Sequence, residues 1–326
     1  MSLKNIAVLT SGGDNAGLNA AVRAITRVGI ARNVNVYGVL RGYRGLVEGQ
    51  IFELNSRAVS GKMGLGGTFI GTARLPEWKD PKVRREAIRN MNRHDIGGLI
   101  VIGGNGSLSG ASLLAKDGFP VIGMPGSIDD DVMGTEVCVG VDTALNIIIE
   151  AIDRIRDCAS SIQRAFVIEV MGRDSGALAL MSAAATGAEV CLVPEIPSPP
   201  MEKIADAITN AYTKGKPYAI IVVAEGWKPG INKLVEFLNS KQDETGFDVR
   251  TTVLGYTQRG GSPSYIDRYY GTAMGAFAVD SLLAGETNKF VAVQNGKPCL
   301  QPLDTLVGKL KPLNKNLLDL YNKLDN

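Results

Sequence analysis

The segment Pro125-Gly-Ser-Ile-Asp-Asp-Asp131 sets three adjacent carboxylates directly after the apolar run Pro120–Met124. Carboxylates at a strand end are costly unless they are solvated, paired or bound to a cation. In an extended chain Asp129 and Asp131 point to one side and Asp130 to the other. Such a pair suits two tasks, a general base that takes a proton and a ligand for Mg²⁺. Two glycine-rich segments carry complementary chemistry. Ser11-Gly-Gly-Asp-Asn-Ala-Gly17 follows the run Ile6–Thr10, and Gly103-Gly-Asn-Gly-Ser107 follows Leu99–Ile102. A helical pattern comes after each, and strand, glycine-rich turn and helix together hold phosphate on backbone N–H groups. Neither segment is a GxGxxG or a GxxxxGK fingerprint. Between them, Gly66-Gly-Thr-Phe-Ile-Gly-Thr-Ala-Arg74 adds more glycine and an arginine suited to bracing a polyphosphate. Arg164, Arg173, Arg250 and Arg259 begin or end apolar runs and suit a second anion, such as a sugar phosphate. Phosphoryl transfer needs positioning, charge neutralisation and a base near the accepting hydroxyl. These residues fit an enzyme that brings a nucleotide polyphosphate to an anionic acceptor.

The elements that must position them follow from periodicity. Strands are expected at Ile6–Thr10, Val34–Val39, Gly98–Ile102, Pro120–Met124, Arg164–Val170, Val190–Val193, Tyr218–Ala224, Val249–Leu254 and Phe290–Gln294. Helices are expected at Asn19–Ala31, Pro81–Asn92, Ser107–Lys116, Asp142–Asp157, Gly176–Thr186, Met201–Lys214, Asn232–Asn239, Ile266–Leu283 and Leu317–Leu324. Runs such as Leu99–Ile102 and Ile220–Val223 are apolar on both faces, as parallel strands covered by helices on each side are. The alternation means an α/β architecture in two units, the first ending near residue 140.

Composition narrows the chemistry further. The 326 residues carry a net charge of +2, so no basic field draws in nucleic acid or anionic membrane, and any anion site must be built locally. The single histidine, His94, rules out zinc sites needing several imidazoles, and its polar neighbours read as a surface helix end. The first 140 residues hold 24 of the 39 glycines, a clustering that marks loops where backbone approaches a ligand. Cys138, Cys158, Cys191 and Cys299 lack CxxC spacing and read as reduced, packed thiols. The longest notable uncharged stretch, Ser175–Ala188, is 14 residues, too short to span a bilayer, and no leader pattern precedes Asn5. A soluble, cytoplasmic protein is expected.

The sequence resembles the bacterial-type ATP-dependent 6-phosphofructokinases. The resemblance runs in order through Leu9–Asp14, Gly66–Arg74, Gly103–Ser107, Pro125–Asp131, Glu169-Val-Met-Gly-Arg173 and Gln258-Arg-Gly-Gly-Ser-Pro263. It implies two Rossmann-like three-layer α/β/α domains with mostly parallel sheets. The larger, ATP-binding domain takes residues 1–139 with 257–304, and the smaller takes 140–256 with 305–326. The implied reaction is the glycolytic transfer from Mg²⁺–ATP to the O1 hydroxyl of fructose 6-phosphate. By the same resemblance Gly12, Tyr43, Arg74, Gly104, Asn105, Gly106, Ser107 and Gly110 bind ATP. Asp129 falls on the catalytic base, Ser127 on a transfer-site hydroxyl, Asp131 on a carboxylate near sugar and metal, and Arg173 on a contact to the moving phosphoryl group. Met171, Gly172, Glu225, Tyr256 and Arg259 fall in the sugar-phosphate site, and Arg164 and Arg250 reach it from a neighbouring subunit, so a homotetramer is implied. Arg23, Arg27, Arg156, Glu189, Lys214 and Lys216 lie where the family binds ADP or phosphoenolpyruvate as allosteric effector.

Gly106 and Gly126 stand where pyrophosphate-using relatives place Asp and Lys, which marks the ATP type. The chain also departs from the family's pattern. Asn105 replaces an Asp linked to Mg²⁺, Asp130 replaces an Asn, Tyr256 replaces the sugar-site His, Ile162 replaces a polar residue, and Ser56 replaces an effector-site Arg beside Arg57. Two further readings fit the same motifs: a regulatory or weakly active paralogue, and a kinase with altered sugar-phosphate preference. Intact Asp129 and Arg173 argue against the paralogue.

Overall fold

The β-branched runs form strands and the amphipathic segments between them form helices, in the computed structural model, which describes residues 3–324. The first stretch gives β1 (Asn5–Ser11), α1 (Leu18–Ala31), β2 (Asn35–Val39), α2 (Gly42–Glu48), β3 (Ile51–Leu54), α3 (Pro81–Asn92), β4 (Gly98–Gly103), α4 (Asn105–Lys116) and β5 (Val121–Pro125). The middle gives α5 (Val141–Ile162), β6 (Arg164–Val170), α6 (Ala177–Thr186), β7 (Val190–Leu192), α7 (Met201–Thr213), β8 (Ala219–Ala224), α8 (Ile231–Ser240), α9 (Gln242–Thr245) and β9 (Asp248–Val253). The last part adds α10 (Tyr265–Leu283), β10 (Lys289–Gln294), β11 (Lys297–Pro302) and α11 (Lys315–Leu324).

The chain divides into two units. The first comprises the chain up to Ser127, Asp131–Thr143 and Arg259–Lys311. Its sheet has the order β11-β10-β5-β4-β1-β2-β3, parallel except for the edge strands β3 and β11. Ile6, Val8, Ile100 and Ile102 pack with α1 and α10 on one face. Alternation turns Ala7, Leu9, Leu99 and Val101 to the other face, where they are equally buried and where α2 and α4 pack against the strands. The second unit comprises Ile128–Asp130, Ala144–Gln258 and the chain from Pro312 onward. Its four strands run parallel in the order β7-β8-β6-β9. Val167, Ile221 and Val223 meet Ile204 and Ile208 of α7 and Leu234 and Leu238 of α8 in its core. Burying each such side chain contributes about 1.5–3 kcal/mol relative to exposure.

Several details differ from the sequence reading. The tripeptide Asp129–Asp131 is not extended: Asp130 sits at φ 49°, in the left-handed region, so the expected alternation of the three carboxylates is broken. Ile128–Asp130 belongs with the second unit, and residues 1–2 and 325–326 of the expected domain spans lie outside the described residues. Cys158 is exposed rather than packed, and all four cysteines are free. The periodicity did not mark α2, β3 or β11. β11 is a half-buried strand joined to β10 through Asn295-Gly296, both at positive φ, as a two-residue hairpin turn demands. The Glu136 carboxylate accepts from the Asn295 and Gly296 N–H groups at 2.7 and 3.1 Å, and those bonds lower its pKa. His94 lies just past α3, half-buried, its ring 5.7 Å from that of Tyr37. Among the described residues no helix is long and apolar enough to cross a membrane.

Candidate active site

In the first unit the two glycine-rich turns follow β1 and β4, which are hydrogen-bonded neighbours with Ser11 opposite Gly103. Loops at the carboxyl ends of adjacent parallel strands are where open α/β sheets bind ligands. α4 starts there. Its N-cap is Gly104, no side chain caps its first turn, and no acidic residue lies in that turn. Its N-terminal N–H groups and dipole therefore favour an anion. Gly106 is the second helical residue, and a Cβ built on it would meet nothing within 4 Å. The loop carrying Arg74 is tied in by Thr72 Oγ1, which donates to the Gly12 carbonyl at 2.9 Å, and by an Arg44 guanidinium bond to the Arg74 carbonyl at 3.1 Å. Ser107 on α4 is buried.

Tyr43, expected among the ATP-binding residues, is also fastened within the first unit. It is buried, and its hydroxyl donates to the Ser107 carbonyl at 2.6 Å. Burial pushes its pKa well above the usual phenol value. Its ring stacks on Trp78 at 4.1 Å, and the Trp78 indole N–H donates to the Gly110 carbonyl at 3.0 Å. The sequence reading missed Trp78. The only signal was a rare aromatic four residues after Arg74, in a chain with two tryptophans.

Asn105 and Asp131 lie together in this unit. The Asn105 side-chain N–H donates to the Asp131 carbonyl at 2.9 Å, which turns Asn105 Oδ1 away from that bond. Asn105 Oδ1 and Asp131 Oδ1 are both buried and without a hydrogen-bond partner. Two orphaned oxygens, one of them a carboxylate's, are the hard donors that Mg²⁺ takes alongside substrate phosphates. Among the described residues no group of three or more His, Cys, Asp or Glu could hold a metal by itself. The two oxygens thus fit a cation that takes further ligands from outside the chain. Arg259, expected among the sugar-site residues, is in this unit, its guanidinium 3.7 Å from Asp14 and beside Gly13. Ser127 closes the stretch that leads out of the unit, its N–H donating to the Val139 carbonyl at 3.1 Å.

In the second unit Asp129 and Asp130 are each 8% exposed. Arg173 Nε lies 3.6 Å from Asp129 Oδ2, longer than a hydrogen bond and within the reach of an ion pair. Arg173 is held on the turn that follows β6. Gln258 accepts from the Met171 N–H at 3.2 Å, and Glu225 Oε1 accepts from Gly172 and Arg173 at 3.1 and 2.6 Å. Glu225 follows β8, and its own N–H pairs with the Val170 carbonyl. Upstream, burial raises the Glu169 carboxyl, and the nearby Glu225 charge raises it further. At the opposite end of β6, Asp248 pairs with both Arg164 and Arg250, at 3.0 and 2.8 Å. Tyr256 stands on a short 3-10 turn, 78% exposed. Ile162, at the end of α5, is also exposed.

The residues expected to bind an effector divide between the units. Glu189, Lys214 and Lys216 line one pocket of the second unit, closed by Tyr321 of α11, whose hydroxyl donates to the Ala188 carbonyl. Lys216 pairs with Glu189 at 2.9 Å. Arg156 pairs with Asp153 and donates to the Thr186 carbonyl. Arg23 and Arg27 lie one turn apart on α1 of the first unit, Arg27 donating to the Ser56 carbonyl.

Comparison with known proteins shows the family. The family described as Phosphofructokinase matches residues 5–282. The chain is 46% identical over 325 residues to the ATP-dependent 6-phosphofructokinase of Macrococcus caseolyticus (strain JCSC5402), covering 99% of each chain. It is 47% identical over 324 residues to that of Persephonella marina (strain DSM 14350 / EX-H1), again covering 99% of each. Among solved structures it resembles phosphofructokinase from Saccharomyces cerevisiae, with a TM-score of 0.87 and 35% identity. That match covers 99% of this chain and 47% of the yeast chain, so the protein spans about half the yeast length. An α/β chain matched from end to end at this identity, with its glycine-rich turns at the carboxyl ends of parallel strands, belongs to the phosphofructokinase family.

Proposed function

We propose that the protein transfers the terminal phosphoryl group of ATP to the O1 hydroxyl of fructose 6-phosphate, giving ADP and fructose 1,6-bisphosphate. The observation that carries this reading is the buried Asp129 carboxylate with Arg173 Nε 3.6 Å away, on a turn held by Glu225 and Gln258. Asp129 is the general base that takes the O1 proton as the hydroxyl attacks. Arg173 offsets the charge of the transferring group. From the first unit, the uncapped N-terminus of α4 and Arg74 hold the polyphosphate, and the open space at Gly106 leaves room for ATP. Asn105 Oδ1 and the Asp131 carboxylate hold Mg²⁺, which neutralises phosphate charge when bound. Ser127, Gly12, Tyr43, Gly104, Ser107 and Gly110 complete the nucleotide and transfer side. Arg164, Met171, Gly172, Arg250, Tyr256 and Arg259 complete the sugar-phosphate side.

Effector control belongs to the same reading. The pocket lined by Glu189, Lys214 and Lys216 takes a phosphate-bearing effector, ADP or phosphoenolpyruvate, and the active form is a cytoplasmic homotetramer. A coupled assay with ATP or pyrophosphate as donor, across several sugar phosphates, tests the proposal. Turnover of fructose 6-phosphate with ATP alone is expected, abolished in Asp129→Asn. Faster turnover with pyrophosphate, or with another sugar phosphate, would overturn the donor or acceptor assignment.

A further inference from the structure

Gly140 stands immediately before α5 and has no side chain with which to cap it. The cap comes from α10 instead. Asp267, 127 positions later in the chain, is fully buried. Its Oδ1 accepts from the Gly140 N–H at 2.6 Å. Its Oδ2 accepts from the Thr143 N–H at 2.8 Å and from the Thr143 hydroxyl at 2.5 Å. The two backbone donors, one at the cap and one three residues on, are the pair that a capping box satisfies. The Ser264 N–H donates to Thr143 Oγ1 at 3.0 Å, and the Asp267 N–H donates to Ser264 Oγ at 3.2 Å, so the starts of α5 and α10 are tied in both directions. A buried carboxylate is costly without donors, and here three are supplied.

Backbone bonds connect this anchor to the transfer segment. Val139, the residue before Gly140, donates its N–H to the Pro125 carbonyl at 3.1 Å and accepts from the Ser127 N–H at 3.1 Å. Gly126 is its bridge partner. Ser127 in turn rests on the start of α4: a Cβ built on Gly104 would lie 3.3 Å from the Ser127 Cβ and 3.4 Å from its hydroxyl oxygen. The first glycine-rich turn closes on the same point. A Cβ on Gly17 would run into the Val139 side chain, and one on Gly140, which sits at φ 108°, would run into Asn15. Gly140 cannot leave Asp267 without carrying Val139, and with it Ser127.

We propose that Asp267 is a positioning residue of the transfer step: its carboxylate fixes Gly140 and Thr143, and through Val139 it sets where Ser127 stands beside the N-terminus of α4, two residues before Asp129. This rests on the reading of Asp129 as the base and of Ser127 as a transfer-site hydroxyl. Fully buried, Asp267 acts through backbone rather than by contact with substrate. Its effect falls on the placement of reacting groups, so it belongs to kcat rather than to either KM.

The test measures kcat, both KM values and melting temperature for the full-length wild type, Asp267→Asn, Thr143→Val, their double variant and Val279→Ala. Amide exchange is followed by mass spectrometry on peptides covering Ser127 and Gly140. Asp267→Asn keeps the volume but turns one acceptor oxygen into an NH₂ that faces donors. It is expected to lower kcat about a hundredfold, the loss that a displacement of about 1 Å produces, with both KM values within about threefold of wild type. Exchange is expected to quicken at both peptides. Thr143→Val removes only the hydroxyl bond and is expected to change both readouts in the same direction by less. Because the two residues act through one anchor, the double variant is expected to fall little below Asp267→Asn alone. Val279→Ala removes buried apolar contact on the same helix and is expected to melt lower while keeping kcat and the exchange at Ser127. The proposal is overturned if Asp267→Asn behaves as Val279→Ala does, if it raises a KM at unchanged kcat, or if the losses of the two single variants multiply. Should Asp267→Asn fail to fold, Thr143→Val decides by the same two readouts. A wild type inactive on ATP and fructose 6-phosphate would defeat the proposed function, and the exchange measurement would still decide whether Asp267 holds Ser127 in place.

Discussion

Replacing Gly106 by Asp separates the stability of α4 from its use as a phosphate site. Gly106 is the second residue of α4, and a side chain there meets nothing within 4 Å, so neither Ala nor Asp strains the fold. Gly106→Ala gains about 1 kcal/mol of helix propensity. An acidic group in a first turn that now has none adds about 0.3–1 kcal/mol through the helix dipole. Both variants are therefore expected to melt no lower than the wild type. Binding changes differently. A carboxylate about 6 Å from a phosphate charge repels it by about 3 kcal/mol at an effective dielectric near 20. At about 1.4 kcal/mol per tenfold, that weakens ATP roughly a hundredfold. The assay pairs thermal unfolding with initial rates at varied ATP and saturating fructose 6-phosphate. Gly106→Ala should raise the KM for ATP far less than Gly106→Asp, which should raise it about a hundredfold at equal or higher melting temperature. An ATP KM for Gly106→Asp within threefold of wild type would refute the placement of polyphosphate at this helix terminus.

Other expectations are checked as readily. In Asn105→Asp the donor to the Asp131 carbonyl is lost and two oxygens face each other, so the metal-free protein is expected to lose about 1–3 kcal/mol, measurable by melting with chelator. The same variant should reach half-maximal rate at lower Mg²⁺, because a carboxylate replaces an amide oxygen. Arg84→Ala removes a buried guanidinium that pairs with the partly exposed Asp117 and bonds to the Trp78 and Lys79 carbonyls, and should cost about 1–3 kcal/mol by denaturant unfolding. Glu169 has a folded pKa raised by burial and by Glu225, so its favourable contribution is present below the unfolded value of about 4.5 and is lost as pH rises through the folded value. Glu169→Gln should therefore melt higher than wild type at pH 7 and no higher at pH 4, and parallel melting curves across this range would contradict it.

Most strands and helices were legible because both faces of the central strands are buried. Runs such as Leu99–Ile102 and Ile220–Val223 cannot stay in water, and their apolar continuity shows in the sequence. The edge strands were harder to read. β11 includes two prolines and polar residues and is only half-buried, so it has no strong pattern, and the Asn295-Gly296 pair was a turn signal left unread. α2 is seven residues and contains two glycines, too short for periodicity to mark it. The glycine-rich loops were visible as composition, but the partners of Tyr43 were not. Its hydroxyl bond to Ser107 and its stack on Trp78 join residues 64 and 35 positions apart.

By itself the sequence determined the α/β alternation, the two glycine-rich turns at strand ends and the residue types that phosphoryl transfer needs. These are local properties: an apolar run, a residue free to take unusual backbone angles, a charge at a strand end. Tertiary structure alone decided which of those residues meet. It turned Asp130 into the left-handed region and broke the alternation of three carboxylates. It brought the Asn105 amide to the Asp131 carbonyl and left two oxygens without donors. It also gave Glu225 the backbone of Arg173, 52 residues earlier in the chain. Such pairings depend on strand register and on where each turn leaves its sheet, which no short window of sequence contains.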